Sequence, residues 1–242
     1  IALHAIYQHR RNTLQNQKNK TRGWLGVCRD DNRLECVPFT LGTATGRMSH
    51  RNLVNVHGAK AVFGKEMRSL FIAPEGKVLV GCDLASAQLR LLASAMEDPN
   101  YVDIVPTGRE EDGTDVHTIN QIAVGLRNRS QAKTFIYGFL FGASAAKLGS
   151  IIGGKSKEGA VLKAKFLKRF PLLRELQNRL ISEFTRSGSK FIIAQDGRKI
   201  QVDSEHKLLN YLLQGNEAIL AKEWAIVSDG LIRKNNIDCK LL

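Results

Sequence analysis

The chain has 242 residues, with 36 Lys and Arg against 23 Asp and Glu, for a formal net charge of +13. Its hydrophobic content of 43% is that of an ordinary globular protein, and it has no run of roughly 18 apolar residues, which excludes a membrane-spanning helix. The basic excess favours a polyanionic partner, with nucleic acid first, an anionic membrane surface second and a merely soluble basic protein as the plain alternative.

The opening IALHAIYQHRRNTLQ is interrupted by His, Gln and Arg and is no secretory signal. Residues 1–22 read as a helix with basic residues at Arg10, Arg11, Lys18, Lys20 and Arg22. From Trp24 to Phe39 the pattern alternates as strands around the turn cluster Asp30-Asp31-Asn32. Cys28, Cys36, Cys82 and Cys239 show no CxxC spacing, which argues against zinc and for a reducing compartment. A Cys28–Cys36 disulfide across a hairpin is disfavoured on the same ground.

TLGTATGRMSHRN, rich in Gly, Thr and Arg, reads as an exposed loop. KVLVGCD (77–83) reads as a buried strand, and LASAQLRLLASAMED as the helix after it, closed by Pro99. Next come a helix over DVHTINQIAVGL, a second over RNRSQAKTFIYGFLFGASAAKLG, and two basic helices between about Lys155 and Ser187. FIIAQDGRKIQV reads as a hairpin turning at Asp196-Gly197, and one long helix fills most of 205–234. Strands and helices are segregated, which gives an α+β class.

Two stretches carry chemistry. Arg129, Lys133, Tyr137 and Phe141 recur every fourth residue and share one helical stripe. Two cations followed by two aromatics suit a nucleotide, with phosphates on the cations and sugar and base over the rings. The alternative is a core-facing helix with a basic start, although cations there oppose the helix dipole. Gly138 and Gly142 each cost about 1 kcal/mol of helix propensity, which suggests close backbone approach. The second stretch holds Asp83, after an apolar run. That carboxylate suits Mg²⁺, which takes one or two carboxylates plus phosphate oxygens, or it caps the following helix.

Together, GCDLASAQLR and RSQAKTFIYGFLFG resemble the first catalytic motif and the nucleotide-binding helix (R-x3-K-x3-[FY]-G-x2-[YF]-G) of family A DNA polymerases. The wording KTFIYGFL, with DVHTINQIA upstream, is closest to the replicative enzymes of short-tailed phages and less close to bacterial DNA polymerase I. The resemblance runs from about Trp24 to the C-terminus. It implies a right-hand fold: the end of a thumb or entry helix over 1–22, palm over 23–99, helical fingers over 100–187, and a second, incomplete part of the palm over 188–242. One palm sheet would join strands from 23–83 with the 190–203 hairpin.

The resemblance implies template-directed DNA synthesis with primer–template DNA and deoxynucleoside triphosphates as partners, and two Mg²⁺ in the complete enzyme. It specifies no processivity factor and no membrane, and it implies a cytoplasmic location, the host's if the gene is a phage's. By the same resemblance Asp83 is the catalytic metal ligand and Leu84 lends its backbone carbonyl. Arg129 and Lys133 bind the triphosphate, His117 contacts its phosphates, and Tyr137 lies under sugar and base. Arg47, Asn52 and Asn55 line the duplex, as do Asn210 and Gln214.

The sequence departs from the family at several points. Gln88 stands where most members have the Glu that blocks a ribose 2′-hydroxyl, and Phe141 where they have the tyrosine bonded to that Glu. Both partners change, which reads as a compensated pair. The duplex loop lacks its usual proline and is shorter. No V-H-D-E hairpin, source of the second catalytic Asp, follows the long helix. The chain is therefore expected to be an internal piece, inactive alone. Two rivals are a single-subunit RNA polymerase and a non-catalytic nucleic-acid-binding module on the same fold.

Overall fold

The structure is a computed structural model that describes residues 2–15, 18, 23–53 and 56–239. The chain divides into two compact units, the first made of residues 1–43 and 48–83, the second of 44–47 and 84–242.

The first unit is small and lightly packed. It contains α1 (Ala2–Leu14), α2 (Trp24–Val27), the antiparallel pair β1 (Val37–Phe39) and β2 (Ser49–Arg51), and α3 (Gly64–Arg68). Trp24 anchors it, buried and edge-on to Phe71 with ring centroids 5.1 Å apart. Met67 is buried as well. Gly23, at φ 87, turns the chain into α2, so Trp24–Val27 is a helical turn rather than the expected strand. The rest of the expected 24–39 strands reduces to one Cys28–Leu34 bridge and β1.

Lys77–Asp83 is not a strand either. Val78, Leu79 and Val80 are 82%, 54% and 81% exposed. A strand needs a neighbour to take its N–H and C=O groups, and among the described residues none pairs with this run.

The second unit is helical. In order come α4 (Ala87–Met96), α5 (Pro99–Thr107), α6 (Val116–Val124), α7 (Arg129–Leu140), α8 (Ala145–Ser150), α9 (Ser156–Arg169) and α10 (Pro171–Arg186). The hairpin β3 (Phe191–Ile193) and β4 (Lys199–Gln201), a 3-10 turn at Glu205–Lys207 and α11 (Leu208–Lys234) complete it. Helical spacing builds its core. α4 buries Leu89, Leu92, Ala93 and Met96, and α10 buries Leu173, Leu176, Leu180 and Phe184, each set on one face. Phe135, Phe139, Phe166 and Phe170 add a chain of tilted and edge-to-face rings to the same core. Only the first third of α11 joins this core; Trp224, Ile226, Val227 and Leu231 are exposed.

The hairpin turns at Gly197, φ 82, as its Asp-Gly indicates. The other expectations shift in detail. Pro99 does not close α4 but opens α5, where Asp98 accepts hydrogen bonds from Asn100 N and Tyr101 N. The single helix expected over 127–149 breaks into α7 and α8 at Gly142, φ 72, where a Cβ would lie 2.6 Å from the His206 carbonyl oxygen. Gly138 carries no such constraint, since its Cβ would meet only ordinary side-chain contacts. The two hairpins stay in separate two-stranded sheets, so the expected single sheet is not formed among the described residues.

Thr45 and Gly46, expected in an exposed loop, are buried. Arg198 Nη2 donates to the Thr45 carbonyl at 3.2 Å and to the Gly215 carbonyl at 2.6 Å, and Lys222 Nζ donates to Gly46 O at 2.8 Å. A short basic segment is thereby pinned to α11.

α8 and α9 meet through glycine. A Cβ on Gly159 would lie 1.8 Å from Ala145 O and 2.6 Å from Gly149 N, both backbone atoms. Gly159→Ala is therefore expected to destabilise the fold by about 2 kcal/mol, overpacking outweighing the gain in helix propensity. A shift of the denaturation midpoint to lower denaturant checks it; an unchanged or raised midpoint would refute the close approach.

Candidate nucleotide and nucleic-acid site

α7 has two faces. Ala132, Phe135, Ile136, Phe139 and Leu140 turn inward and are buried, which leaves Arg129, Lys133, Tyr137 and Phe141 on the other side. Asn128 starts the helix by accepting from Gln131 N at 2.9 Å. Lys133 is exposed, Tyr137 half-buried and Phe141 46% exposed. Tyr137 and Phe141 stack with planes 22° apart and centroids at 6.3 Å. α7 is thus a core-facing helix on one side, while the stripe itself lies on the other.

His117 lies beside it. Its ring is 6.0 Å from that of Tyr137, it is buried, and its Nδ1 has no partner among the described residues. Burial chiefly, and then the Arg129 and Lys133 cations, push its pKa down against the opposing pull of Asp115. The imidazole is therefore neutral near pH 7.

Arg129 is engaged on the carboxylate side. Its Nε and Nη2 both reach Asp115 Oδ1 at 3.1 Å, and its Nη1 reaches Glu110 Oε2 at 3.1 Å. Asp115 also caps α6 through His117 N and accepts from Thr118 Oγ1. Burial would raise its carboxyl, but these hydrogen bonds and the guanidinium hold it below the ordinary range. Asp115 was not expected at the site, although its place just before VHT marks a cap.

Glu217, on α11, is a further acid in this part of the second unit. Its Oε2 accepts from Gln88 Nε2 at 3.3 Å and lies 3.9 Å from Arg47 Nη2. The Tyr137 phenol is pushed up by burial first and by Glu217 second. No spacing or motif in the sequence singles this acid out. Asn210 and Gln214, also on α11, bond to each other at 2.8 Å and are half-buried. A cleft of about 1090 Å³ between α8, α9, α10 and the 205–209 turn shares none of the stripe residues.

In the first unit Asn52, at φ 71, donates to the Glu35 carbonyl at 3.1 Å. Asn55 lies outside the described residues. Asp83 is exposed. It does not cap α4, whose first residue is Ala87 and whose cap position is Ser86, so the capping alternative for Asp83 fails. The Leu84 carbonyl accepts a weak 3.3 Å turn bond from Ala87 N, which leaves a lone pair available. One carboxylate and one carbonyl are hard oxygen donors of the kind Mg²⁺ accepts alongside phosphate oxygens. Among the described residues no three His, Cys, Asp or Glu side chains gather as a metal-holding set. All four cysteines are free and exposed, and no helix among the described residues is long and apolar enough to cross a membrane.

The chain is similar to several polymerases. The DNA-directed DNA polymerase of Escherichia phage T7 is 33% identical over 236 residues, a match covering 87% of this chain and 33% of that protein. The corresponding enzyme of Enterobacteria phage T3 is 32% identical with the same coverage. DNA polymerase I of Aquifex aeolicus is 29% identical, covering 84% of this chain and 36% of that one. The chain thus spans about a third of the length of these relatives. In three dimensions it matches the POL domain of Pol1 from M. smegmatis, solved in complex with DNA primer-template and dNTP. The TM-score is 0.74 at 20% identity, over 89% of this chain and 41% of that one. That likeness establishes the fold. The description of DNA polymerase family A matches residues 2–242, and the chain belongs to that family.

Proposed function

We propose that this chain supplies nucleotide- and primer-binding parts of a polymerase for template-directed DNA synthesis in replication. The observation that carries the reading is the outward stripe of α7, two cations and two stacked rings with the neutral His117 alongside. Family membership supports it, and so does the matched polymerase solved with primer-template and dNTP. On this reading residues 23–99 and 188–242 are palm, 100–187 fingers, and 1–22 the end of a thumb or an entry segment.

The primer 3′-hydroxyl oxygen bonds to the α-phosphorus of the deoxynucleotide, the bond to pyrophosphate breaks, and the hydroxyl proton leaves to solvent. Lys133 and Arg129 neutralise the triphosphate; Arg129 keeps Nε and Nη2 on Asp115 Oδ1 and offers its remaining N–H groups. His117, whose ring lies 6.0 Å from that of Tyr137, flanks the stripe where the phosphates and sugar would lie. Tyr137 and Phe141 carry sugar and base. Asp83 and the Leu84 carbonyl are the residues that would hold Mg²⁺, which when bound supplies charge stabilisation at the reacting phosphate. By the family resemblance Arg47, Asn52, Asn55, Asn210 and Gln214 are the residues assigned to duplex binding.

Titrating a deoxynucleoside triphosphate against the chain and a primer–template duplex tests this. Saturable binding is expected with Mg²⁺ and much weaker binding without it. Duplex affinity should fall linearly on a log–log plot as salt rises, through counterion release. Duplex binding with no magnesium-dependent nucleotide site would instead make the chain a nucleic-acid-binding module. Preference for ribonucleotides would point to RNA synthesis.

A further inference from the structure

Gln88 is a neutral amide on a flexible stem, and volume alone excludes nothing if the side chain can swing aside. Its partner is therefore informative. A carboxylate can only accept hydrogen bonds, so Glu217 holds the NH₂ end of Gln88 and fixes which way the amide points. The same Oε2 faces Arg47, on the segment that Arg198 and Lys222 pin to α11. Glu217 is also within electrostatic reach of Tyr137. One acid thus ties α4, α11 and the 44–47 segment together, within electrostatic reach of the Tyr137 ring that would carry the nucleotide's sugar.

We propose that Glu217 is a positioning residue for sugar selection: it locks Gln88 in one rotamer beside the sugar, so that the amide rejects a 2′-hydroxyl. The inference rests on the nucleotide-site reading above and goes beyond it. A carboxylate contributed by α11 would then supply from a second helix the negative charge that Gln88 itself lacks. Glu217 touches no reacting atom; it acts through Gln88.

The test compares binding of deoxy- and ribonucleoside triphosphates to the chain with primer–template and Mg²⁺. Glu217→Ala is expected to lower the ratio of deoxy- to ribonucleotide affinity by about tenfold, the worth of one hydrogen bond to a charged group. Glu217→Gln keeps the volume and an acceptor oxygen, so it should restore most of the ratio. In a Gln88→Ala background, which already lacks the amide, Glu217→Ala should change the ratio no further. A merely structural role for Glu217 would lower the melting temperature in both backgrounds and leave the ratio alone. If Glu217→Ala melts early, Glu217→Leu, which fills similar space without an acceptor oxygen, replaces it in both backgrounds and the same additivity decides. An unchanged ratio in Glu217→Ala, or additive effects in the double variant, overturns this inference alone. Failure of the unsubstituted chain to bind any deoxynucleotide overturns the nucleotide-site reading and this inference with it.

Discussion

Asp83→Asn, in a full-length polymerase that carries this sequence, is expected to lower primer extension by about three powers of ten or more. The substitution keeps the side chain's size and removes one negative charge and one hard oxygen donor. Asn retains a carbonyl oxygen, but a neutral amide is a poor substitute where a dication must be held against triphosphate. The loss in rate corresponds to several kcal/mol of transition-state stabilisation, the usual share of one catalytic ion. Duplex binding should be untouched, since Asp83 is an exposed acid rather than a phosphate-binding cation. Single-turnover extension and duplex affinity, measured on the same preparation, separate the two. Extension at the unsubstituted rate would remove Asp83 from the site.

The second large effect concerns the 242 residues by themselves. They are expected to bind primer–template and extend it at least about 10³-fold less than a chain that also carries a second catalytic carboxylate. Two-metal phosphoryl transfer needs carboxylates that hold both ions, and on the reading proposed above Asp83 is one. Glu217 is already engaged by Gln88 and Arg47. Glu223 follows it on α11, and Asp238 lies past that helix. Each ion's contribution is worth three or more powers of ten. Primer extension in Mg²⁺ by the purified 242 residues, beside a version lengthened by a hairpin bearing the second Asp, is the measurement. Rapid synthesis by the shorter form would mean that the catalytic centre lies elsewhere.

Helices with a clear apolar period were legible in the sequence, and so was the outward stripe of α7, because i, i+4 spacing fixes a face whatever the rest of the chain does. The 191–201 hairpin was legible from Asp196-Gly197 for a similar local reason. What escaped was set by partners distant in sequence. KVLVGCD has every local mark of a strand, yet strand structure is completed by a neighbour, and none of the described residues provides one. Thr45 looks like loop and is buried because Arg198, 153 positions later, takes its carbonyl. Glu217 lies on a helix whose sequence gives no hint that its acid meets Gln88, 129 residues away. The break at Gly142 was written as a glycine, but a glycine within a helical pattern does not say whether it ends the helix or merely weakens it. The carbonyl of His206 decides that.

That contact has a mechanical consequence. A Cβ at Gly142 would come 2.6 Å from the His206 carbonyl oxygen, so the end of α7 rests directly on the turn that launches α11. The ring end of α7 and the first turns of α11 are braced as one lever. The other end of α7 is held by several partners at once: Arg129 pairs with Asp115 and Glu110, Gln131 Nε2 donates to the Ile151 carbonyl at 3.2 Å, and Ala132 and Phe135 are buried. Both ends of the helix are therefore fixed by backbone or core contacts, and what stays adjustable on the outward stripe is the long side chains.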